Sequence, residues 1–188
     1  RNAYALLGLA FLIVFGGAYL IFERAEAPSF LEDNETSMSL TLTSSAFLNN
    51  GSIPSQYTCD GENINPPLAI SGVPEGTKAL VLVMDDPDIP EAIKKERGVE
   101  KINHWVLYNL PAGTKTVREN ATLENSGLNS RGNPGYIGPC PPPDMEPTTH
   151  RYIFRHYALS GTLNFIKAPT LDEVEEAAKG MAIESAQL

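Results

Sequence analysis

The residues from Ala3 to Phe22 carry no charged side chain, and that run divides the chain before anything else is considered. At 1.5 Å per residue, an uncharged helix of this length matches the roughly 30 Å hydrocarbon core of a bilayer. Tyr4 and Tyr19 stand near its ends, where amphipathic rings prefer the interface. The pattern predicts a transmembrane signal anchor over 1–24, a polar linker over 25–39 and a folded domain over 40–188. Arg1 ahead of the run, with Glu23, Arg24 and Glu26 behind it, favours a cytoplasmic N-terminus and an extracytoplasmic domain. The alternative is a secreted domain cleaved near Ala27, since Ala25-Glu26-Ala27 has the small-x-small form of a signal-peptide site. Either reading exports the domain.

About 150 residues remain, enough for one domain with a sizeable core. The whole chain has a formal charge of −9 and no basic stripe, which argues against nucleic acid as a partner. Fifteen prolines and fifteen glycines, with few helical patterns, point to a turn-rich, mainly β chain. Leu40 to Thr43 alternates as an opening strand. Ala79 to Met84 is short and continuously apolar, the pattern of a central strand covered on both faces. Asn103 to Asn109 and Arg151 to Leu159 are further strands, rich in aromatic and β-branched residues. One late helix is marked by the capping box Thr170-Leu171-Asp172-Glu173, and its stripe of Leu171, Val174, Ala178 and Met181 reads as core packing. The charged stretch Glu91 to Lys101 reads as a solvated excursion.

The two cysteines, Cys59 and Cys140, lack metal-type spacing. In an exported domain they form a disulfide; otherwise they are two free thiols.

Three polar clusters interrupt the apolar pattern. Asp85-Asp86-Pro87-Asp88 follows the most hydrophobic strand, His104 sits within a strand beside Trp105, and a stiff loop, Gly138-Pro139-Cys140-Pro141-Pro142-Pro143, leads to His150-Arg151-Tyr152. An imidazole hydrogen-bonds a phosphate or carboxylate, and a nearby Asp fixes its tautomer. Gly138 has no Cβ, so its N–H is expected to approach a ligand closely. The competing readings are a core histidine at His104 and a capped turn at the acidic run. His156 reads as structural. The sequence has no G-x-S-x-G elbow, Walker loop or dinucleotide glycine fingerprint, and no helical pair of metal-ligating histidines. The expectation is a binding domain without cofactor, metal or catalytic residue. The alternatives are an exported enzyme inhibitor acting through surface loops and a weak hydrolase with His150 as base.

Seven segments in this order resemble the phosphatidylethanolamine-binding protein family, in its bacterial and archaeal, Raf kinase inhibitor-like branch. They are Ile53-Pro54 with Tyr57 to Asn63, Pro66-Pro67-Leu68, Gly72-Val73-Pro74, Asp86-Pro87-Asp88-Ile89-Pro90, His104 to Asn109, Gly138 to Pro143 and His150-Arg151-Tyr152. The resemblance implies antiparallel sheets and a small pocket for an anionic ligand or phospholipid head group. It nominates Asp86, Asp88, His104, Gly138, Pro139, His150 and Tyr152 as pocket residues, with Asp60 and Pro67 as neighbouring wall.

Overall fold

The computed structural model describes residues 39–188; the expected anchor and all but the last residue of the linker lie outside them. Among the described residues no helix is long and apolar enough to cross a membrane.

Two antiparallel sheets form the domain. One has β1 (Thr41–Ser44), β2 (Leu68–Ser71) and β5 (Thr116–Val117) in the order β1-β2-β5. The other has β3 (Ala79–Asp86), β4 (Ile102–Pro111), β6 (Ile153–Leu159) and β7 (Ala182–Gln187) in the order β4-β3-β6-β7. All eight residues of β3 are buried, because strands flank it on both sides and its two faces feed two cores. Leu80, Leu82 and Met84 pack with Leu42, Ile70 and Trp105 between the sheets. Val81 and Val83 pack with Leu163, Leu171 and Val174 on the other face.

Leu171 and Val174 belong to the late helix α2 (Leu171–Ala178), where the capping box forms as read: Thr170 Oγ1 accepts from Glu173 N, and Thr170 N donates to Glu173 Oε2. Arg151 and Tyr152, expected inside a strand, precede β6.

Two local features position the site. Met84 opposes Trp105 while Asp85 opposes Asn103, so His104 is the extra residue of a bulge in β4; a bulge re-aims a side chain that a regular pleat would point elsewhere. The outer edge of β4 is covered by the segment 125–137, through Gly127 N to Val106 O, Ser130 N to Asn103 O and Ile137 N to His104 O. The charged excursion stays solvated, with no buried residue, but it forms helix α1 (Glu91–Arg97), ended by Gly98 in the left-handed region. Ile93 and Arg97 of that helix line the cavity described next.

Candidate functional site

A cavity of about 240 Å³ opens at the end of β3 and β4. It brings together Asp86, His104, Gly138 and His150, three segments far apart in sequence. Asp86 is the last residue of β3 and is buried. Its Oδ2 accepts from His150 Nδ1 at 2.6 Å, and its Oδ1 accepts from the Asp88 N–H at 2.9 Å. The other ring nitrogen of His150, Nε2, faces Pro147 O at 2.8 Å. Both ring nitrogens therefore already have partners within the protein.

His104 is held differently. Its Nδ1 donates to Ile137 O at 2.8 Å, on the residue whose N–H bonds the His104 carbonyl. Burial holds its pKa below the ordinary histidine value, only partly offset by the Ile137 contact and by the charges of Asp86 and Asp85. The neutral ring with the proton on Nδ1 leaves a lone pair on Nε2. Tyr152 packs its ring edge-on to His104 and stacked on His150, with centroids 5.3 and 6.3 Å away.

Asp85 and Asp86 point to opposite faces of β3. Asp85 is fully buried and pairs with Arg155 and Lys101, and Lys101 also reaches Glu175 of α2 at 3.1 Å. Asp85 ties the end of β3 to the helical layer while Asp86 serves the cavity.

Several nominated residues stand elsewhere. The Gly138 N–H is not open to a ligand: it donates to Asn63 Oδ1 at 2.7 Å. The glycine is required because a Cβ there would lie 2.5 Å from Tyr57 O. Asp88 does not line the cavity. It takes Arg151 in a fork, with Nε to Oδ2 at 2.7 Å and Nη2 to Oδ1 at 2.6 Å, and also accepts the Arg151 N–H. Those bonds hold its pKa down to about 2. Pro139, Tyr152 and Asp60 border a second, larger hollow that shares His150 with the first. Pro67 borders neither; it precedes β2, and its carbonyl accepts from Ser44 Oγ. Cys59 and Cys140 are bonded to each other, fastening the proline loop to the 59–63 turn, and Cys140 lies on the cavity wall.

Sequence reasoning missed the rest of the lining. Ile89, Ile93, Ile102 and Ile137 form an apolar trough beside the polar end, and Arg97, Ser130 and Arg131 border it. Among the described residues neither arginine side chain has a hydrogen-bond or ion-pair partner, and Arg131 is close enough to His104 for its charge to oppose protonation there. Helix α1 was detectable from Gly98 after a last turn holding Lys94, Lys95 and Arg97. Nothing local marks Arg131.

Comparison with known proteins follows the same outline. The family model described as phosphatidylethanolamine-binding protein matches residues 43–188. A UPF0098 protein of Methanothermobacter thermautotrophicus is 39% identical over 156 residues, covering 79% of this chain and 95% of its own. The crystal structure of a phosphatidylethanolamine-binding protein homolog from Chlamydia trachomatis is 38% identical with a TM-score of 0.70, covering 81% of this chain and 95% of that one. Escherichia coli YbcL is 25% identical with a TM-score of 0.69, covering 80% and 95%.

Proposed function

The chain belongs to the phosphatidylethanolamine-binding protein family, and from that premise we propose that its cavity binds a small phosphate- or carboxylate-bearing ligand without transforming it. The observation that carries this reading is the convergence of Asp86, His104 and His150 with two unpaired arginines, Arg97 and Arg131, around one cavity. Cationic groups outnumber the single lining carboxylate, and that carboxylate is already committed to His150. An anion entering there meets a positive field in a partly desolvated setting, where charge-assisted hydrogen bonds are strong.

Binding rather than catalysis is favoured by the absence of a poised nucleophile on the wall. The Cys140 sulfur is in a disulfide, and Ser130 Oγ accepts the Asn103 N–H at 2.7 Å, with no side-chain base bonded to it among the described residues. Incubation with generic aryl ester and aryl phosphate substrates tests this, with His150→Ala as control. Turnover lost in that variant would replace the binding reading with a hydrolytic one.

The reading also keeps the domain outside the cytoplasm, tethered through Ala3–Phe22. Disulfides persist in oxidising compartments, and the Cys59–Cys140 bond is consistent with one. Resistance to carbonate extraction, together with protease sensitivity in intact cells, tests the tether and its orientation. The site itself is tested by a crystal grown in phosphate: density between His104 and Arg131 is expected, and an unchanged apolar-filled or water-filled cavity counts against the proposal.

A further inference from the structure

We propose that the Cys59–Cys140 bond is a reversible redox site that a dithiol reductant opens. The Cys140 thiolate so released puts a negative charge on the cavity wall and weakens anion binding there, a consequence that rests on the anion-binding reading. The first observation is exposure. Cysteine is among the residues most often found buried, yet Cys59 and Cys140 are both exposed. An exposed disulfide is open to thiolate attack, and such bonds form the labile, regulatory class rather than the structural one.

The second observation is where the bond sits. Cys140 lies on the wall of the cavity that Arg97 and Arg131 also line, with Asp86 as its one carboxylate. Cys59 is followed by the exposed acids Asp60 and Glu62. The two sulfurs therefore meet opposite fields: the arginines favour a thiolate at Cys140, and the acids oppose one at Cys59. Three hydrogen bonds join the same two segments without the sulfurs. Cys59 N donates to Pro139 O at 3.0 Å, Gly138 N to Asn63 Oδ1 at 2.7 Å, and the Tyr136 hydroxyl to Tyr57 O at 2.7 Å. They keep the loop in place when the disulfide is open, so reduction changes the charge on the wall rather than the fold, and the two thiols stay close enough to re-form the bond.

The exchange balances with the dithiol alone. One of its sulfurs, as thiolate, attacks Cys59 Sγ; a mixed disulfide forms, the Cys59–Cys140 bond breaks, and the electron pair leaves on Cys140 Sγ, the better-stabilised leaving group. The second sulfur of the dithiol then attacks the first, and the pair leaves on Cys59 Sγ. Two electrons pass to the protein and the dithiol becomes a disulfide. Of its two protons, one goes to Cys59 and the other to solvent. Cys140 then carries its charge in the same hollow that an anion would enter, so a bound anion opposes reduction by the factor with which reduction weakens the anion.

The test uses the full chain without denaturant. Dithiothreitol followed by iodoacetamide and mass spectrometry is expected to label both cysteines, with the circular dichroism spectrum unchanged. Calorimetric titration with inorganic phosphate then compares four forms. Reduced wild type and Cys59→Ser both keep a free Cys140 sulfur, and they are expected to bind phosphate on the order of tenfold more weakly than the oxidised protein. Cys140→Ser lacks both the bond and that sulfur, and it is expected to bind as the oxidised protein does. A bond that yields to dithiothreitol only after unfolding, or a spectrum lost on reduction, overturns the redox site. Equal phosphate affinity in Cys59→Ser and Cys140→Ser overturns the effect of the Cys140 charge while leaving anion binding intact. Phosphate binding by none of the four forms overturns the anion-binding reading and that effect together, and the labelling still decides the redox site.

Discussion

His156 offers a quantitative test of how this fold is held. The residue is fully buried in β6, opposite Leu82, with its side chain in the core between the sheets. Neither ring nitrogen has a hydrogen-bond partner; a weak contact with the Val81 backbone favours the charged form but does not reach bonding geometry. Burial accordingly moves its pKa from 6.5 down to about 4. Below pH 6.5 the unfolded chain takes up a proton that the folded chain refuses until about pH 4. The unfolded state therefore binds more protons across that interval, and stability is full above pH 6.5 and falls as the pH drops to 4. The gap between the two values converts to about 3 kcal/mol. Replacing the ring by a side chain of similar volume and no polar atoms removes both the titration and the penalty for burying unpaired nitrogens, about 1–3 kcal/mol at neutral pH. His156→Leu is therefore expected to be more stable than wild type at pH 7, and its advantage should grow by about 3 kcal/mol at pH 4. Urea unfolding at half-unit steps from pH 4 to 8 measures the difference directly, and comparing the two proteins cancels every other titrating group. Parallel stability profiles would refute the reasoning, since they would mean that His156 finds a partner when buried.

Three further outcomes follow from the site. Gly138→Ala should cost about 1–3 kcal/mol by overpacking, because its Cβ meets Tyr57 O and Asn63 Oδ1 below 3 Å; thermal melts comparing it with Gly113→Ala, where the Cβ meets open space, supply the control. Reducing Cys59–Cys140, which closes a separation of 81 residues, should lower stability by up to about 4–5 kcal/mol in the chain-entropy account, read as a fall in urea midpoint on adding dithiothreitol. Asp88→Asn should lose the Arg151 fork; since that carboxyl is held down to about pH 2, the wild type's advantage should be full above its ordinary pKa of 3.8 and vanish as the pH falls through 2, as followed by circular dichroism.

The parts of the fold legible in the sequence were those governed by local chemistry. The apolar run of β3 could only be a strand covered on both faces, and the Thr170–Glu173 capping box announced α2 through two reciprocal hydrogen bonds. The family's order of motifs located the polar end of the cavity. What the sequence did not disclose were tertiary commitments. The Gly138 amide looked available until the 59–63 turn, anchored by the disulfide, brought Asn63 against it. Asp88 looked equivalent to Asp86, but Asp86 lies on the nearly buried strand end and Asp88 beyond it, where Arg151 claims it. Arg131 comes from a loop without periodicity, and it meets the cavity only because that loop pairs along the edge of β4. His104 carries the clearest lesson: a strand pattern assigns a face by parity, whereas a one-residue bulge re-aims the ring.

The central claim is that an anion is held in the cavity that His104 and His150 both line, and the chain has only three histidines, His104, His150 and His156. Imidazole NMR of the full chain during titration with inorganic phosphate reads all three at once. The account predicts saturable shifts at His104 and His150 with His156 unmoved. Stationary signals at tens of millimolar ligand, or equal movement of all three, would contradict it.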